Sequence, residues 1–180
     1  MGPTCKILLK NPLTDTQLLE IAFYVAEKGE IQEDLRLQAW SFLVKLNQII
    51  PRDFTDKGCV FSIYVWEGLI AEYGGSYEIE ENELKQLEQV IGFRPYGHIQ
   101  LDASCNGVID HALLGKMASD LLNKFGGFID FGGILNLNPN ESVPGKLINI
   151  GIENEEHYYQ LGDQIFLDYW LNHNQFRMIK

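Results

Sequence analysis

One stretch of the sequence, residues 96–135, constrains the fold more than any other, because residues typical of turns and helix ends stand at each boundary between its strand-like and helical segments. Residues 98–103 form a short strand-like run, and Asn106-Gly107 follows it as a typical turn pair. Apolar residues then recur at helical spacing, and Gly126-Gly127 supplies the backbone freedom that the end of a helix requires. The stretch therefore predicts a strand, a helix and a second strand in succession.

The rest of the chain alternates strand-like and helical patterns with short connections. Residues 59–66 are dense in β-branched and aromatic residues and predict a central strand. Residues 34–50 carry apolar side chains at spacings of three and four, which predicts a helix. Two further strands in a hairpin and a helix capped by Asp163 complete the pattern. Together these elements predict one α+β or α/β domain over residues 1–180, with helices packed on a mixed β-sheet.

Composition places the chain among ordinary globular proteins. Hydrophobic residues make up 46% of the sequence and charged residues 22%, so extensive disorder is not expected. The longest apolar run is too short to cross a bilayer, and the N-terminal residues lack the apolar core of a signal peptide. The 3 cysteines have no paired spacing, which favours a reducing compartment. We therefore expect a cytoplasmic protein.

The net charge of −11 comes from two acidic windows. Residues 67–88 contribute −6 and residues 153–168 contribute −5, so the remaining chain is balanced. Such a charge disfavours direct binding to nucleic acid or to an anionic membrane surface. Two interpretations stay open: a solvated surface that keeps the protein soluble, or a docking surface for a basic partner. The candidate docking residues are Glu78, Glu80, Glu81, Glu83, Glu153, Glu155 and Glu156.

An alternative polar site surrounds the start of the predicted central helix. Asp102, Asp110 and Asp130 would converge if the strands before and after that helix lay side by side, and three carboxylates could then hold a divalent cation. Cys105 and His111 could supply a thiol and a base, although a small Cys at a strand end more often packs. The structural interpretation is that Asp110 caps the helix and His111 lies in its first turn.

The sequence predicts neither a metal site nor a cofactor. Its 4 histidines and 3 cysteines are widely separated and have no spacing typical of zinc ligands. No nucleophile elbow of the G-x-S-x-G type is present either. The expected protein is therefore a binding protein and not an enzyme.

Several short motifs are spread over most of the chain: Gly2-Pro3, CNG at 105–107, Asp110-His111, LLG at 113–115, GGFIDFGG at 126–133 and FRMIK at 176–180. Together they resemble an uncharacterised family of small bacterial proteins that is defined only as a domain of unknown function. The resemblance implies no catalytic residues. Small acidic proteins of this kind are similar to immunity proteins that neutralise polymorphic or secretion-system toxins, so the resemblance implies a cognate toxin effector domain as partner.

Resemblance and charge lead to one principal hypothesis and one alternative. The principal hypothesis is a cytosolic immunity or antitoxin-like protein that covers the basic groove of a toxin, with electrostatic attraction speeding the encounter. The alternative is a small enzyme or ligand-binding protein that uses the polar site of Asp102, Cys105, Asp110, His111 and Asp130. A concave site with convergent polar groups would favour the alternative.

Overall fold

The computed structural model describes residues 2–34, 39–44, 60–67, 81–138, 140–151 and 158–179. The strands within these ranges are β1 (Thr4–Leu9), β2 (Gly29–Asp34), β3 (Ala39–Val44), β4 (Val60–Glu67), β5 (Gly97–Ala103), β6 (Phe128–Asp130), β7 (Leu147–Gly151) and β8 (Tyr158–Gly162). The helices are α1 (Asp15–Lys28), α2 (Glu81–Ile91), α3 (Val108–Phe125) and α4 (Gln164–Leu171). None of these helices is both long and apolar enough to cross a membrane.

The strands form one sheet in the order β2-β3-β4-β5-β1-β6-β8-β7. Every pairing among the described strands is antiparallel, where the sequence predicted a mixed sheet. The reason lies in the position of β1, which inserts between β5 and β6 and runs antiparallel to both. The strands that α3 connects are therefore parallel to each other without sharing a ladder. The α+β class is confirmed.

The two faces of the sheet carry different layers. On one face a large core that includes Ile7, Phe61 and Leu101 packs against α1, α3 and α4. On the other face Leu87 and its neighbours on α2 pack against a smaller apolar cluster that includes Leu8 and Leu161. Among the described helices, α2 is the only one on this second face. The polar side chains of the central strands share that face with α2.

The predicted helix over residues 34–50 is wrong for the part that the structure describes. Residues 39–44 form β3, which pairs with β2 on one side and β4 on the other. Trp40, Phe42 and Val44 are buried and alternate with partly exposed neighbours, which is the period of a strand. The run is so rich in apolar residues that helical spacing and strand alternation both fit it, and pairing on two sides decides between them.

The C-terminal end of α3 forms where the sequence predicts it, at Gly126, but the N-cap is Gly107 and not Asp110, so the helix begins three residues earlier than predicted. Gly107 occupies the N-cap position, and its backbone N–H donates to Asp110 Oδ2 at 2.7 Å. Gly126 follows the last turn with φ of 71° and Gly127 continues at 108°, which are conformations that favour glycine. A Cβ at Gly127 would lie 2.0 Å from the carbonyl oxygen of Leu8, so β6 begins in close contact with β1. The strand, helix and strand expected in this stretch are confirmed.

Candidate binding site on the polar sheet face

Polar side chains from three adjacent strands lie together on the sheet face that carries α2. Thr4 of β1 pairs with Asp102 of β5. Lys6 pairs with Gln100 on one side and with Asp130 of β6 on the other. Directly opposed residues in an antiparallel ladder project to the same face, so these five side chains share one surface. They line a cavity of about 700 Å³, which we call the Asp102–Asp130 cavity.

Asp102 contributes a half-buried carboxylate to the cavity. The Gln100 side-chain amide donates to both of its oxygens, at 3.2 Å and 2.9 Å. Within the part of the chain that the structure describes, no Lys, Arg or His forms an ion pair with Asp102. Among the described residues, the side-chain group that holds this carboxylate in place is therefore a neutral amide.

Asp130 contributes the second carboxylate, from the opposite side of β1. Its Oδ1 accepts a hydrogen bond from the Gly132 N–H at 2.7 Å, in a turn that Gly132 allows with φ of 71°. Burial raises the pKa of Asp130 above its usual value, and nearby Glu83 adds to the increase. The hydrogen bond from Gly132 and the cation of Lys6 act in the opposite direction. The cavity thus holds one carboxylate that ionises less readily than an exposed aspartate.

Cys5 also borders the cavity, but its thiol is almost fully buried. Burial raises the pKa of Cys5, and the carboxylates of Asp130 and Asp102 raise it further. Because the thiolate is the nucleophilic form, a thiol in these surroundings is unreactive. Cys5 is therefore a packing residue at this site.

The described acids of the predicted docking surface already have partners. Glu81 and Glu83 lie in the first turn of α2. Arg94 donates to the two carboxylate oxygens of Glu81 at 3.0 Å and 2.6 Å, and the Tyr159 hydroxyl donates to Glu83 at 2.6 Å. The other five predicted residues lie outside the described residues: Glu78, Glu80, Glu153, Glu155 and Glu156.

The structure divides the alternative polar site between two layers. Asp102 and Asp130 meet at the cavity, whereas Asp110 and His111 belong to α3, which packs on the other face of the sheet. Three carboxylates do not converge, because β1 separates β5 from β6 and α3 crosses the opposite face. Cys105 is exposed beyond the end of β5. Among the described residues, no group of three or more His, Cys, Asp or Glu side chains is arranged to hold a metal ion.

Asp110 and His111 have structural contacts. The Nδ1 atom of His111 accepts from the Met178 backbone N–H at 3.1 Å. Its Nε2 atom lies 2.9 Å from Asn106 Oδ1 and 3.3 Å from Arg177 Nε. Burial lowers the pKa of His111, and the nearby Arg177 cation lowers it further. Asp110 is not the N-cap residue: it lies in the first turn of α3, where its carboxylate accepts from the Gly107 N–H. His111 holds the C-terminal segment, so both residues have structural contacts.

Several residues of the cavity escaped the sequence analysis. Lys6 and Gln100 were not singled out, although His98, Gln100 and Asp102 are polar residues at every second position of β5. That alternation is the signal of a strand with one polar face. His98 lies farther along the same face, buried and stacked on Trp66 with ring centres 6.2 Å apart. Its two ring nitrogens have no hydrogen-bond partner among the described residues.

Comparison with known proteins identifies the family of the chain. A model of a family of unknown function, DUF6368, matches residues 1–180. The chain belongs to this family. No curated protein and no solved structure matches it. Membership of DUF6368 confirms the resemblance to a domain of unknown function and supplies no activity.

Proposed function

We propose that this DUF6368 protein is a cytoplasmic immunity or antitoxin-like protein that binds a basic toxin effector domain through the Asp102–Asp130 cavity and its surroundings. One observation carries the proposal. Carboxylates from β5 and β6 reach a single cavity on a sheet face, in a chain whose net charge is −11. A basic groove is the complementary surface, and long-range attraction would speed association with it.

The sheet makes this surface rigid before a partner arrives. β5 pairs with β4 and β1 along its whole length, so the backbone of Gln100 and Asp102 is held on both sides. The Gln100 amide restricts the Asp102 carboxylate as well. Side chains ordered in advance lose little entropy on binding, and more of the contact energy is available for affinity.

Glu81 already pairs with Arg94, so we expect the main contact with the basic partner to form at another acidic residue. Glu81 is exposed, and the hydrogen bond from Arg94 lowers its pKa. An incoming cation would have to compete with Arg94 for the Glu81 carboxylate. Asp102 has no such competitor among the described residues and is the stronger candidate for the main electrostatic contact.

A second candidate function uses the same cavity for a small molecule. The raised pKa of Asp130 in a cavity of about 700 Å³ favours it, because perturbed acids in clefts are frequent at ligand-binding and catalytic sites. In an enzyme of this kind, Asp130 would be the acid or base. Cys5 and His111 would take no part, since one is a buried thiol and the other is held by Met178.

The first test is isothermal titration of the protein against the toxin-like domain encoded beside its gene. Growth of cells that produce that domain, alone or with this protein, provides the second readout. We expect saturable binding and restored growth. Asp102→Asn should weaken binding about tenfold, the usual scale for losing one partly buried ion pair.

Glu27→Gln is the matched control for Asp102→Asn. It removes the same charge from an exposed position on α1, which packs on the other face of the sheet. This variant should bind as the unmodified protein does. Absence of both binding and growth rescue would contradict the immunity function. A thermal-shift screen of metabolites with wild-type protein and Asp130→Asn would then test the second candidate.

A further inference from the structure

We infer that the Asp102–Asp130 cavity is a guanidinium-binding site whose occupant is an arginine side chain of the basic partner. The chemistry of the site rests on the contacts within the cavity. The source of the arginine rests on the proposed function. These two parts can fail separately, and the experiment below distinguishes them.

The carboxylate of Asp102 is the primary acceptor of this site. The Gln100 amide nitrogen contacts both carboxylate oxygens, at 3.2 Å and 2.9 Å, and so occupies the position between them. The outer lone pairs of the oxygens remain, and a guanidinium can donate an N–H to one of them while its other N–H groups reach neighbouring acceptors of the cavity. Because Asp102 is half-buried and has no cationic partner among the described residues, a bound cation would compensate a charge that folding has partly desolvated.

The spacing of the strands assigns different roles to the two carboxylates. Adjacent strands lie about 4.8 Å apart, so β5 and β6 are about 10 Å apart across β1. Asp102 pairs with Thr4 whereas Asp130 pairs with Lys6, which adds a diagonal offset of two residues. One guanidinium cannot bridge that distance. Lys6 is the direct ladder neighbour of Asp130 and lies diagonal to Asp102, so we assign the role of ligand acceptor to Asp102.

Arginine fits the remaining lining better than lysine. Thr4 and Gln100 line the cavity together with Asp102, and their side chains carry neutral acceptor oxygens. A guanidinium carries five donors in a fixed plane and can use several acceptors at once, whereas an ammonium acts as a compact point charge with a strongly held hydration shell. A cavity of about 700 Å³ also has room for a side chain of this length.

The test is an NMR titration of the ¹⁵N-labelled full chain with N-acetyl-arginine amide. N-acetyl-citrulline amide, which has the same shape without the charge, and N-acetyl-lysine amide are the comparison probes. We expect saturable shifts of the Asp102 and Gly132 amides with the arginine probe. The lysine probe should bind several-fold more weakly and the citrulline probe at least tenfold more weakly.

Variants separate the site from general attraction to an acidic protein. Asp102→Asn should weaken the arginine probe at least tenfold, and Asp102→Glu, which keeps the charge but moves the carboxylate, should have an intermediate effect. Glu27→Gln should leave the affinity unchanged. Equal binding of the citrulline and arginine probes would overturn the inference. So would an unchanged affinity in Asp102→Asn, or shifts that spread over the surface without saturating.

Competition decides where the arginine comes from. The toxin-like domain should lose affinity when the arginine probe saturates the cavity, because both would need Asp102. If the domain binds equally well with the cavity filled, the partner is not the source, and that half of the inference is overturned. If the domain does not bind at all, the immunity function fails, while the probe titration still decides whether a guanidinium site exists.

Discussion

His98 is a buried titratable side chain, and folding disfavours its protonated form. Desolvation lowers its pKa to about 4, and the cation of Lys6 contributes in the same direction. Neither ring nitrogen has a hydrogen-bond partner among the described residues, and the ring stacks on Trp66. His98 therefore packs as a neutral aromatic ring, and protonation of this ring competes with folding.

Stability is expected to fall as the solution becomes acidic, and His98 should supply part of the loss. The unfolded chain takes up a proton near pH 6.5 and the folded chain only near pH 4, so the contribution is complete above pH 6.5 and declines below it. Between pH 7.5 and 5 this group accounts for about 2 kcal/mol of unfolding free energy. His98→Phe keeps an aromatic ring but has no titratable group. In urea unfolding at pH 7.5 and pH 5, the free energy of unfolding should therefore fall by about 2 kcal/mol less in this variant than in the wild-type protein. An identical pH dependence in both proteins would contradict the assignment.

At the scale of elements, the junction between α3 and β6 depends on close approach of two backbones. Gly127 has φ of 108°, and a Cβ there would meet the Leu8 carbonyl oxygen. Gly92, which follows α2, also has a positive φ, but nothing lies within 4 Å of its Cβ position. Comparing the two glycines therefore separates the free-energy cost of a positive φ from the cost of a steric clash with an added Cβ.

Replacing each glycine by alanine should give clearly different results. Gly92→Ala should cost about 1 kcal/mol, the usual penalty for a positive φ. Gly127→Ala should cost about 3 kcal/mol or more, because β6 has to move away from β1 to admit the methyl group. Chemical denaturation measures both values. Equal losses in the two variants would mean that β6 does not lie as close to Leu8 as the structure shows.

At the scale of the whole molecule, the C-terminal segment joins parts that are distant in the sequence. The Ile179 carbonyl accepts from the Thr4 N–H of β1 at 3.3 Å, and the Arg177 carbonyl accepts from Trp170 Nε1 of α4 at 3.2 Å. The Met178 N–H donates to His111 of α3. Ile179 also borders the Asp102–Asp130 cavity, so the segment connects the helical layer to the candidate site.

Met178 should therefore contribute to stability as a core residue does. Its side chain is 2% exposed, and Met178→Ala should lower the free energy of unfolding by about 2–4 kcal/mol. Gln175→Ala is the nearby control. Gln175 is exposed, and loss of its side chain should change stability by less than about 0.5 kcal/mol. If urea unfolding gave similar values for the two variants, the segment would not be docked in solution.

The sequence alone predicts those structural features that depend on residues close together in the chain. The glycines that end α3 and the Asp163 side chain that caps α4 depend on residues adjacent in the chain. The hairpin of β7 and β8 was recognised for the same reason. Caps and turns are satisfied within a few residues, so their chemistry can be read before the fold is known.

Only the tertiary structure decided which strands are neighbours and which polar groups meet. Residues 39–44 become a strand because β2 and β4 pair with them, and Asp110 is separated from Asp102 because α3 packs on the other face of the sheet. Ladder hydrogen bonds and burial join residues far apart in the sequence, and no local pattern specifies them. Asp102 and Asp130 share one cavity for that reason: their common surface exists only once three strands are aligned.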